Sequence, residues 1–218
     1  MIGLIFALQS EAKQTIEKIE NLQQIKFLDK TAYKGVLFKK DIILVISGIG
    51  KVSASISTQA LIDKYNPEYI FNIGTSGGTD TSVKVKNFYA IDRCFQFDFD
   101  VTEIDDVEVG YIQEYDRVFF TCHTKGLEFM NKTSLATADR FSNEAKDLKI
   151  IKKNGCAVRD MEGSAIAQTC ISNNVPFVCV KGVTDVYGTN EDFYTNLNMV
   201  CLEIPNTIKK VFENVKFD

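Results

Sequence analysis

The chain has 218 residues, a net charge of −4 at pH 7, 45% hydrophobic residues and 25% charged residues. These values are typical of one globular α/β domain, which we expect to span residues 1–218, and the length is short for two domains. The negative charge argues against a nucleic-acid surface, and no segment has the ~20 continuous apolar residues of a membrane span.

Predicted strands alternate with predicted helices, which indicates a largely parallel sheet covered by helices. In the first half we expect strands at 2–8, 25–29, 31–37, 41–47 and 69–73, a helix at 10–20 with Ser10 as its cap, a second helix that Gly48 opens and that ends near Tyr65, and a glycine loop at 74–78. In the second half we expect strands at 87–102, 133–138, 155–159 and 176–183, an irregular acidic segment at 103–117, and helices at 143–153, 162–173 and about 190–213.

The six cysteines form no C-x-x-C pair, and several lie in apolar runs. Reduced, buried thiols are the expectation for such residues, and they favour a cytoplasmic protein. The apolar N-terminus has no basic region before it, so we interpret it as a first strand and not as a signal peptide. His123 is the single histidine, and its neighbour Cys122 would point the other way in an extended segment, so we expect no metal site.

Ligands of open α/β sheets bind where strands give way to loops at their carboxyl ends. Six segments of this chain are predicted to lie there, and four of them carry an acid: Gln9-Ser10-Glu11, Ser47 to Gly50, Gly74 to Gly78, Asp139-Arg140-Phe141, Asp160-Met161-Glu162 and Thr184-Asp185. We therefore expect the chemistry at this edge of the sheet.

Asp160-Met161-Glu162 places a carboxylate on each side of a thioether where a strand gives way to a helix. The two acids could simply cap the helix, since acids at a helix N-terminus gain ~0.3–1 kcal/mol from the macrodipole. They could equally hold sugar hydroxyls and stabilise a developing positive charge. Both interpretations stay open on these residues alone.

Two glycine motifs match known patterns only formally. Gly48-Ile49-Gly50-Lys51 lacks the third glycine of a dinucleotide fingerprint and the flanking residues of a P-loop, so a tight turn is the simpler interpretation. Gly74-Thr75-Ser76-Gly77-Gly78 fits the G-x-S-x-G nucleophile elbow. A serine hydrolase using Ser76 would need His123 as its base, with Asp98 or Asp100 as the acid.

Taken together, the segments resemble the nucleoside phosphorylase/nucleosidase superfamily, and more narrowly its 5′-methylthioadenosine/S-adenosylhomocysteine nucleosidases. The resemblance covers almost the whole chain and rests on the ordered set of Gly3 to Glu11, Ser47 to Val52, Asn72 to Gly78, Asp98 to Thr102, Ala138 to Phe141, Asp160 to Glu162 and Thr184 to Val186. It implies a three-layer α/β sandwich around a central twisted mixed sheet, a homodimer, a nucleoside substrate and no cofactor.

The resemblance also implies roles for individual residues. Glu11 would activate the attacking water, and Asp185 would protonate N7 of the leaving adenine, which is the two-carboxylate logic of glycoside hydrolysis. At the sugar, the resemblance implies that Glu162 binds the ribose hydroxyls with Asp160 in support, that Met161 packs beneath the ring, and that Thr75, Ser76 and Gly77 line the ribose and the water. At the base, Phe141 would stack on the purine and the backbone of Ser142 would contact its edge. Ile49 and Val101 would border the 5′-alkylthio group.

Hydrolysis is favoured over phosphorolysis because the chain has four arginines and none precedes Arg93, whereas the family's phosphorylases clamp phosphate with early arginines. The alternatives are a phosphorylase, a nucleosidase for another nucleoside such as aminodeoxyfutalosine, and a binding module without catalysis. Phe97, Ala138 and Asp160 depart from the family pattern, where His, Gly and Glu are usual, and they leave the preferred substrate open.

Overall fold

The computed structural model describes residues 1–141 and 143–216, which form ten strands and five α-helices. The strands are β1 Ile2–Phe6, β2 Glu20–Phe27, β3 Lys30–Leu37, β4 Lys40–Ile46, β5 Tyr69–Gly78, β6 Phe88–Gln96, β7 Phe120–Thr121, β8 Lys132–Thr137, β9 Cys156–Asp160 and β10 Phe177–Val186. The helices are α1 Gln9–Ile16, α2 Lys51–Tyr65, α3 Ala145–Lys153, α4 Gly163–Ser172 and α5 Phe193–Asn214. Within these ranges no helix is both long and apolar enough to cross a membrane.

The strands form one mixed sheet in the order β10-β6-β8-β9-β5-β1-β4-β3-β2, with β7 paired to β6. β1 lies parallel to β4 and β5, whereas β2, β3 and β4 are joined as an antiparallel meander. Because β5 pairs with both β9 and β10, the strands β5, β10, β6, β8 and β9 close into a ring. The sheet is therefore open at one end and barrel-like at the other.

The central strands alternate between two hydrophobic cores, one on each face of the sheet. On β4, Ile43 and Val45 belong to one core, and Ile42 and Leu44 belong to the other. The first core also takes in residues of α2 and α4, and the second takes in residues of α1 and α5. The period of two along a strand thus requires a helix layer on each side, and the predicted three-layer arrangement around a mixed sheet is confirmed.

The predicted glycine loop at 74–78 is wrong, because β5 continues to Gly78. The glycines of β5 allow charged side chains from other elements to lie directly against the backbone of this strand. A Cβ atom on Gly74 would lie 2.8 Å from Glu11 Oε1, and one on Gly77 would lie 3.2 Å from Arg159 Nε. Glycine at these positions leaves room for charged side chains directly against the strand.

Several other element boundaries differ from expectation, and two of them bear on the site. Ser10 does not cap the first helix, which begins at Gln9 with Leu8 as the N-cap residue, and the Leu8 N–H donates to Glu11 Oε2 at 3.1 Å. The strand predicted at 87–102 ends at Gln96. Asp98 instead accepts hydrogen bonds from Lys51 Nζ at 2.6 Å and from the Asp139 N–H at 2.9 Å, so it links its own loop to the start of α2 and to the loop after β8.

A buried ion pair connects two strands of the ring. Lys181 Nζ of β10 lies 2.8 Å from Asp160 Oδ2 of β9, and the two side chains are 2% and 3% exposed. Burial acts to lower the pKa of Lys181, but the neighbouring acidic groups, led by Asp160 and including Glu162 and Glu11, together outweigh it and raise that pKa. Each charge is therefore tolerated in the interior only because the other is present.

Replacing Lys181 with Met is expected to destabilise the fold by about 3–5 kcal/mol, because Asp160 would remain buried without its cation. Urea denaturation followed by circular dichroism measures the change. The double variant Lys181→Met with Asp160→Asn removes both charges and is expected to recover most of the loss. A Lys181→Met variant that unfolds at the wild-type urea concentration would contradict the role assigned to the pair.

Candidate active site

A cavity of about 250 Å³ opens where β1, β5, β9 and β10 end. Ten of the twelve predicted site residues line it: Glu11, Ile49, Thr75, Ser76, Gly77, Phe141, Asp160, Met161, Glu162 and Asp185. Ala7, Leu8, Arg159, Thr184, Phe193 and Leu197 complete the lining. A larger depression of about 510 Å³ lies along the loop of residues 99–114, but it does not gather these carboxylates.

The Glu11 carboxylate is 4% exposed and is held by three hydrogen bonds. Thr75 donates to Oε1 through its N–H at 2.8 Å and its hydroxyl at 2.7 Å, and the Leu8 N–H donates to Oε2 at 3.1 Å. Helix α1 begins two residues before Glu11, so the third helical residue reaches back to the helix start. This arrangement fixes an acceptor at the cavity wall, as a general base requires.

Asp185 reaches the cavity because of a β-bulge. The register between β10 and β5 slips at Thr184, so that Asp185 lies opposite Gly77 and not Gly78. Such a bulge changes the direction of the side chains that follow it. The Thr184 hydroxyl donates to Asp185 Oδ1 at 2.8 Å, and Arg159 Nη2 lies 3.6 Å from Oδ2.

Glu162 lines the same cavity in a buried position. Its Oε1 accepts the Gly50 N–H at 2.9 Å, which places the loop before α2 against the start of α4. Burial, followed by the negative charge of Asp160, raises the pKa of Glu162 to about 7. A carboxylate that pays this desolvation cost is suited to accept hydrogen bonds from ligand hydroxyls, which restore the lost solvation.

Asp160 has less capacity for a ligand than expected, because its oxygens already have partners. Oδ1 accepts the Thr137 hydroxyl at 2.6 Å, whereas Oδ2 accepts the Gly163 N–H at 2.9 Å and pairs with Lys181. It therefore binds the N-terminus of α4 and orients the segment that carries Glu162. The capping interpretation therefore applies to Asp160, and the ligand interpretation stays a prediction for Glu162.

Apolar side chains form the remaining walls. Phe141 is 65% exposed at the mouth, and its ring lies 6.5 Å from that of Phe193 in an edge-on contact. The preceding residue, Arg140, makes a two-pronged pair with Asp147 of α3 at 2.6 and 2.9 Å, which anchors the loop. Ser142, also predicted in the site, lies outside the described residues.

Val101 does not line this cavity and instead lines the depression along residues 99–114. Two of the departures from the family pattern are also remote from the lining, since Phe97 and Ala138 are buried together in a separate apolar cluster. Arg140 lies over the Phe97 ring at 5.4 Å. These two substitutions therefore alter packing behind the loop that carries Phe141.

The serine hydrolase interpretation lacks a base. The Ser76 hydroxyl donates to the Gly182 carbonyl at 3.4 Å, and it belongs to a strand and not to a strand-to-helix turn. Among the described residues that line its cavity there is no histidine, and His123 borders a different depression with Cys170 and Phe177. Nor do residues 1–141 and 143–216 contain a cluster of three or more His, Cys, Asp or Glu suited to a metal ion.

Sequence reasoning missed Arg159 and Lys181, and it placed Thr184 at the ligand edge without assigning it a role. Each cation is the one charged residue of its predicted strand, 155–159 for Arg159 and 176–183 for Lys181. A charge buried in a strand needs a partner, so this pattern could have indicated that both residues form ion pairs. Burial lowers the pKa of the Arg159 guanidinium, and Asp185 acts in the opposite direction. Thr184 carried no comparable signal, since a bulge is not visible in the residue pattern.

Comparison with known proteins agrees with this geometry. The family model described as the phosphorylase superfamily matches residues 1–212. A 5′-methylthioadenosine/S-adenosylhomocysteine nucleosidase from Buchnera aphidicola is 30% identical over 98% of each chain. The crystal structure of such a nucleosidase from Colwellia psychrerythraea, in complex with adenine, is 26% identical with a TM-score of 0.87 over 97% of this chain and 94% of that one.

The fold is shared more widely. Futalosine hydrolase from Helicobacter pylori has a TM-score of 0.87 over 97% of both chains at 20% identity, a likeness that concerns the fold alone. The family match, by contrast, extends along nearly the whole sequence. The chain therefore belongs to the phosphorylase superfamily and, within it, to the family of 5′-methylthioadenosine/S-adenosylhomocysteine nucleosidases.

Proposed function

We propose that this chain hydrolyses the N-glycosidic bond of 5′-thio-substituted adenosines, methylthioadenosine and S-adenosylhomocysteine, and releases adenine and the thioribose. The observation that carries the proposal is the convergence of Glu11, Glu162 and Asp185 on one cavity with apolar walls. The homologous nucleosidases and the adenine-bound neighbour support the same substrate class.

Asp185 is the proposed acid at the purine. Cleavage of an N-ribosyl bond passes through an oxocarbenium-like state, and protonation of N7 makes the purine a neutral leaving group. Phe141, at the cavity mouth, offers a ring face against which a planar base can stack. The Thr184 hydrogen bond and the Arg159 contact keep the Asp185 carboxyl group in one orientation at the cavity wall.

Glu11 is the proposed base for water. It contacts β5 at Gly74, and Asp185 contacts β5 at Gly77, so their contact points are three residues or ~10 Å apart along the strand. That separation leaves space for a ribosyl group with a water molecule on its far side, as in glycosidases that activate water directly. Glu162 lines the same cavity, where it can accept hydrogen bonds from the ribose hydroxyls.

The charges along the cavity support water and not phosphate as the nucleophile. Arg159 is the one cation among its described lining residues, and it is paired with Asp185 at the proposed purine end. At the opposite end a phosphate would meet the Glu11 carboxylate without a compensating arginine. Phosphorolysis would require a cation there, because phosphate binding depends on charge-assisted hydrogen bonds.

Purified enzyme is expected to release adenine from methylthioadenosine at the same rate with and without inorganic phosphate, because water attacks the sugar. Chromatography of the products measures adenine and distinguishes free thioribose from its 1-phosphate. Release that depends on phosphate would identify a phosphorylase. Binding of the nucleoside without any release of base would identify a non-catalytic module.

Asp185→Asn and Glu11→Gln are each expected to lower kcat by at least ~10²-fold, because each removes a proton-transfer group and keeps its shape. Steady-state kinetics and circular dichroism, measured on the same samples, separate lost chemistry from lost folding. Glu11→Gln is also expected to retain binding of a non-hydrolysable substrate analogue. Full turnover by either variant would remove that residue from the mechanism.

We also propose that the enzyme is a cytoplasmic homodimer. Ile49, Val52 and Ile56 are 54%, 69% and 51% exposed along the start of α2, an apolar stripe beside the cavity that a second copy would cover. All six cysteines are free thiols, which agrees with a reducing compartment.

Light scattering is expected to give twice the mass of one chain for the wild type. Ile56→Lys places a charge in the apolar stripe and is expected to dissociate the dimer. A wild-type monomer would contradict the proposal.

A further inference from the structure

Asp98 is a carboxylate beyond the cavity lining to which the proposed reaction assigns no task. It lies two residues after the end of β6, and its side chain is 12% exposed. Oδ1 accepts from Lys51 Nζ at 2.6 Å, and Oδ2 accepts the Asp139 N–H at 2.9 Å. Exposed ion pairs are usually weak, but a pair that is mostly withdrawn from water and shares a backbone hydrogen bond holds one geometry.

The strand register explains why other acids lie beside Asp98. The strands β6, β8 and β9 are parallel neighbours, and Gln96, Thr137 and Asp160 lie in register at their ends. Two residues after each of these positions the chain carries an acid: Asp98, Asp139 and Glu162. Three adjacent strands are therefore each followed by a carboxylate at the same edge of the sheet.

The start of α2 is bonded to all three of these acids. The Gly50 N–H donates to Glu162 at 2.9 Å, and the Lys51 N–H donates to Asp139 Oδ1 at 2.7 Å, while the Lys51 ammonium pairs with Asp98. The first N–H groups of a helix have no partner within the helix, and negative charge beside them is favourable. Three strand ends thus fix one helix start.

Gly50 is required for this arrangement. Its φ is +97°, a region that favours glycine, and a Cβ atom on it would lie 3.0 Å from Asp139 Oδ1. The turn before α2 can therefore approach the Asp139 carboxylate closely only because it carries no side chain.

Asp98 connects two walls of the cavity. Ile49 lies beside the α2 start, Phe141 lies two residues after Asp139, and both line the cavity. The ammonium of Lys51 joins Asp98 to the first wall, and the Asp139 N–H joins it to the second. The position of the Phe141 segment (residues 138–141) relative to the α2 start therefore depends on this one carboxylate.

We propose that Asp98 is a positioning residue that sets the affinity of the site for its nucleoside by fixing the Phe141 segment against the start of α2. The inference rests on the proposed function and assigns Asp98 no contact with the substrate. The two proposed proton-transfer acids belong to α1 and β10, to which Asp98 is not bonded. Loss of its carboxylate therefore weakens binding and leaves the chemistry of bound substrate largely intact.

Asp98→Ala is expected to raise KM for methylthioadenosine roughly 10-fold and to leave kcat within about threefold, the pattern of an interaction equal in ground and transition states. Asp98→Asn keeps an acceptor for the Asp139 N–H and is expected to fall in between. Asp63→Asn removes an exposed carboxylate near the other end of α2, where Gln59 donates to it, and is the matched control with unchanged constants. Circular dichroism and light scattering check fold and assembly on the same samples.

A double-mutant cycle shows whether Asp98 acts through the stacking ring. Phe141→Ala removes that ring, so Asp98→Ala added to it is expected to raise KM by less than about threefold further, because residues that act together are not additive. Lys51→Met is expected to raise KM as Asp98→Asn does. Lys51→Arg keeps the cation and is expected to stay within about twofold of the wild type.

The outcomes separate this inference from the proposed function. A wild type that cleaves methylthioadenosine, with an unchanged KM in Asp98→Ala, overturns the role of Asp98 and leaves the nucleosidase proposal intact. A loss confined to kcat, or an effect that multiplies fully with that of Phe141→Ala, overturns it as well.

A wild type that releases no adenine overturns the proposed function. Calorimetry with adenine then tests the inference on the same variants, and equal affinities of wild type and Asp98→Ala overturn it. If Asp98→Ala does not fold, Asp98→Asn and Lys51→Met decide by the same change in KM.

Discussion

The site depends on one stretch of bare backbone, the glycine-containing end of β5. Glu11 lies so close to Gly74 that a Cβ atom there would force a shift, and Asp185 and Arg159 lie close enough to Gly77 that a Cβ atom would crowd both. Because β5 is hydrogen-bonded to β1, β9 and β10, it brings the elements that carry these residues to one edge of the sheet. The arrangement of the proposed catalytic residues is thus a consequence of strand pairing around residues that lack a Cβ atom.

The charged side chains at this edge of the sheet differ in their hydrogen-bond and ion-pair partners. The Lys181–Asp160 pair is fully buried and supports the segment before α4, whereas Glu162, two residues later, keeps an oxygen beyond its bond to Gly50 and has a raised pKa. Glu11 is held by neutral donors, and Asp185 is held by a hydroxyl and a cation. Neighbouring acids with different partners can therefore serve as support, sugar ligand, base and acid.

Much of the fold could be predicted from residue patterns, because burial on alternate sides of β4 and the turns between elements leave a local signature. Errors occurred where a tertiary contact overrides the local pattern. Gly74 to Gly78 looked like a loop, but its backbone pairs with two strands, and Ser10 looked like a cap, but Glu11 supplies the bond to the Leu8 N–H. Local propensity takes no account of partners that lie far along the chain.

The sequence by itself determined the family, the two carboxylates expected to move protons and the edge of the sheet at which they meet, since those features depend on residue identity and chain order. Only the tertiary structure decided which acids have their oxygens occupied by protein partners and which face the cavity. Asp160 pairs with Lys181 and accepts a hydrogen bond from Thr137, whereas a bulge at Thr184 places Asp185 opposite Gly77. It also brought Arg159 beside Asp185 with one donor unpaired. Such contacts join residues of different strands, and only the pairing of those strands specifies them.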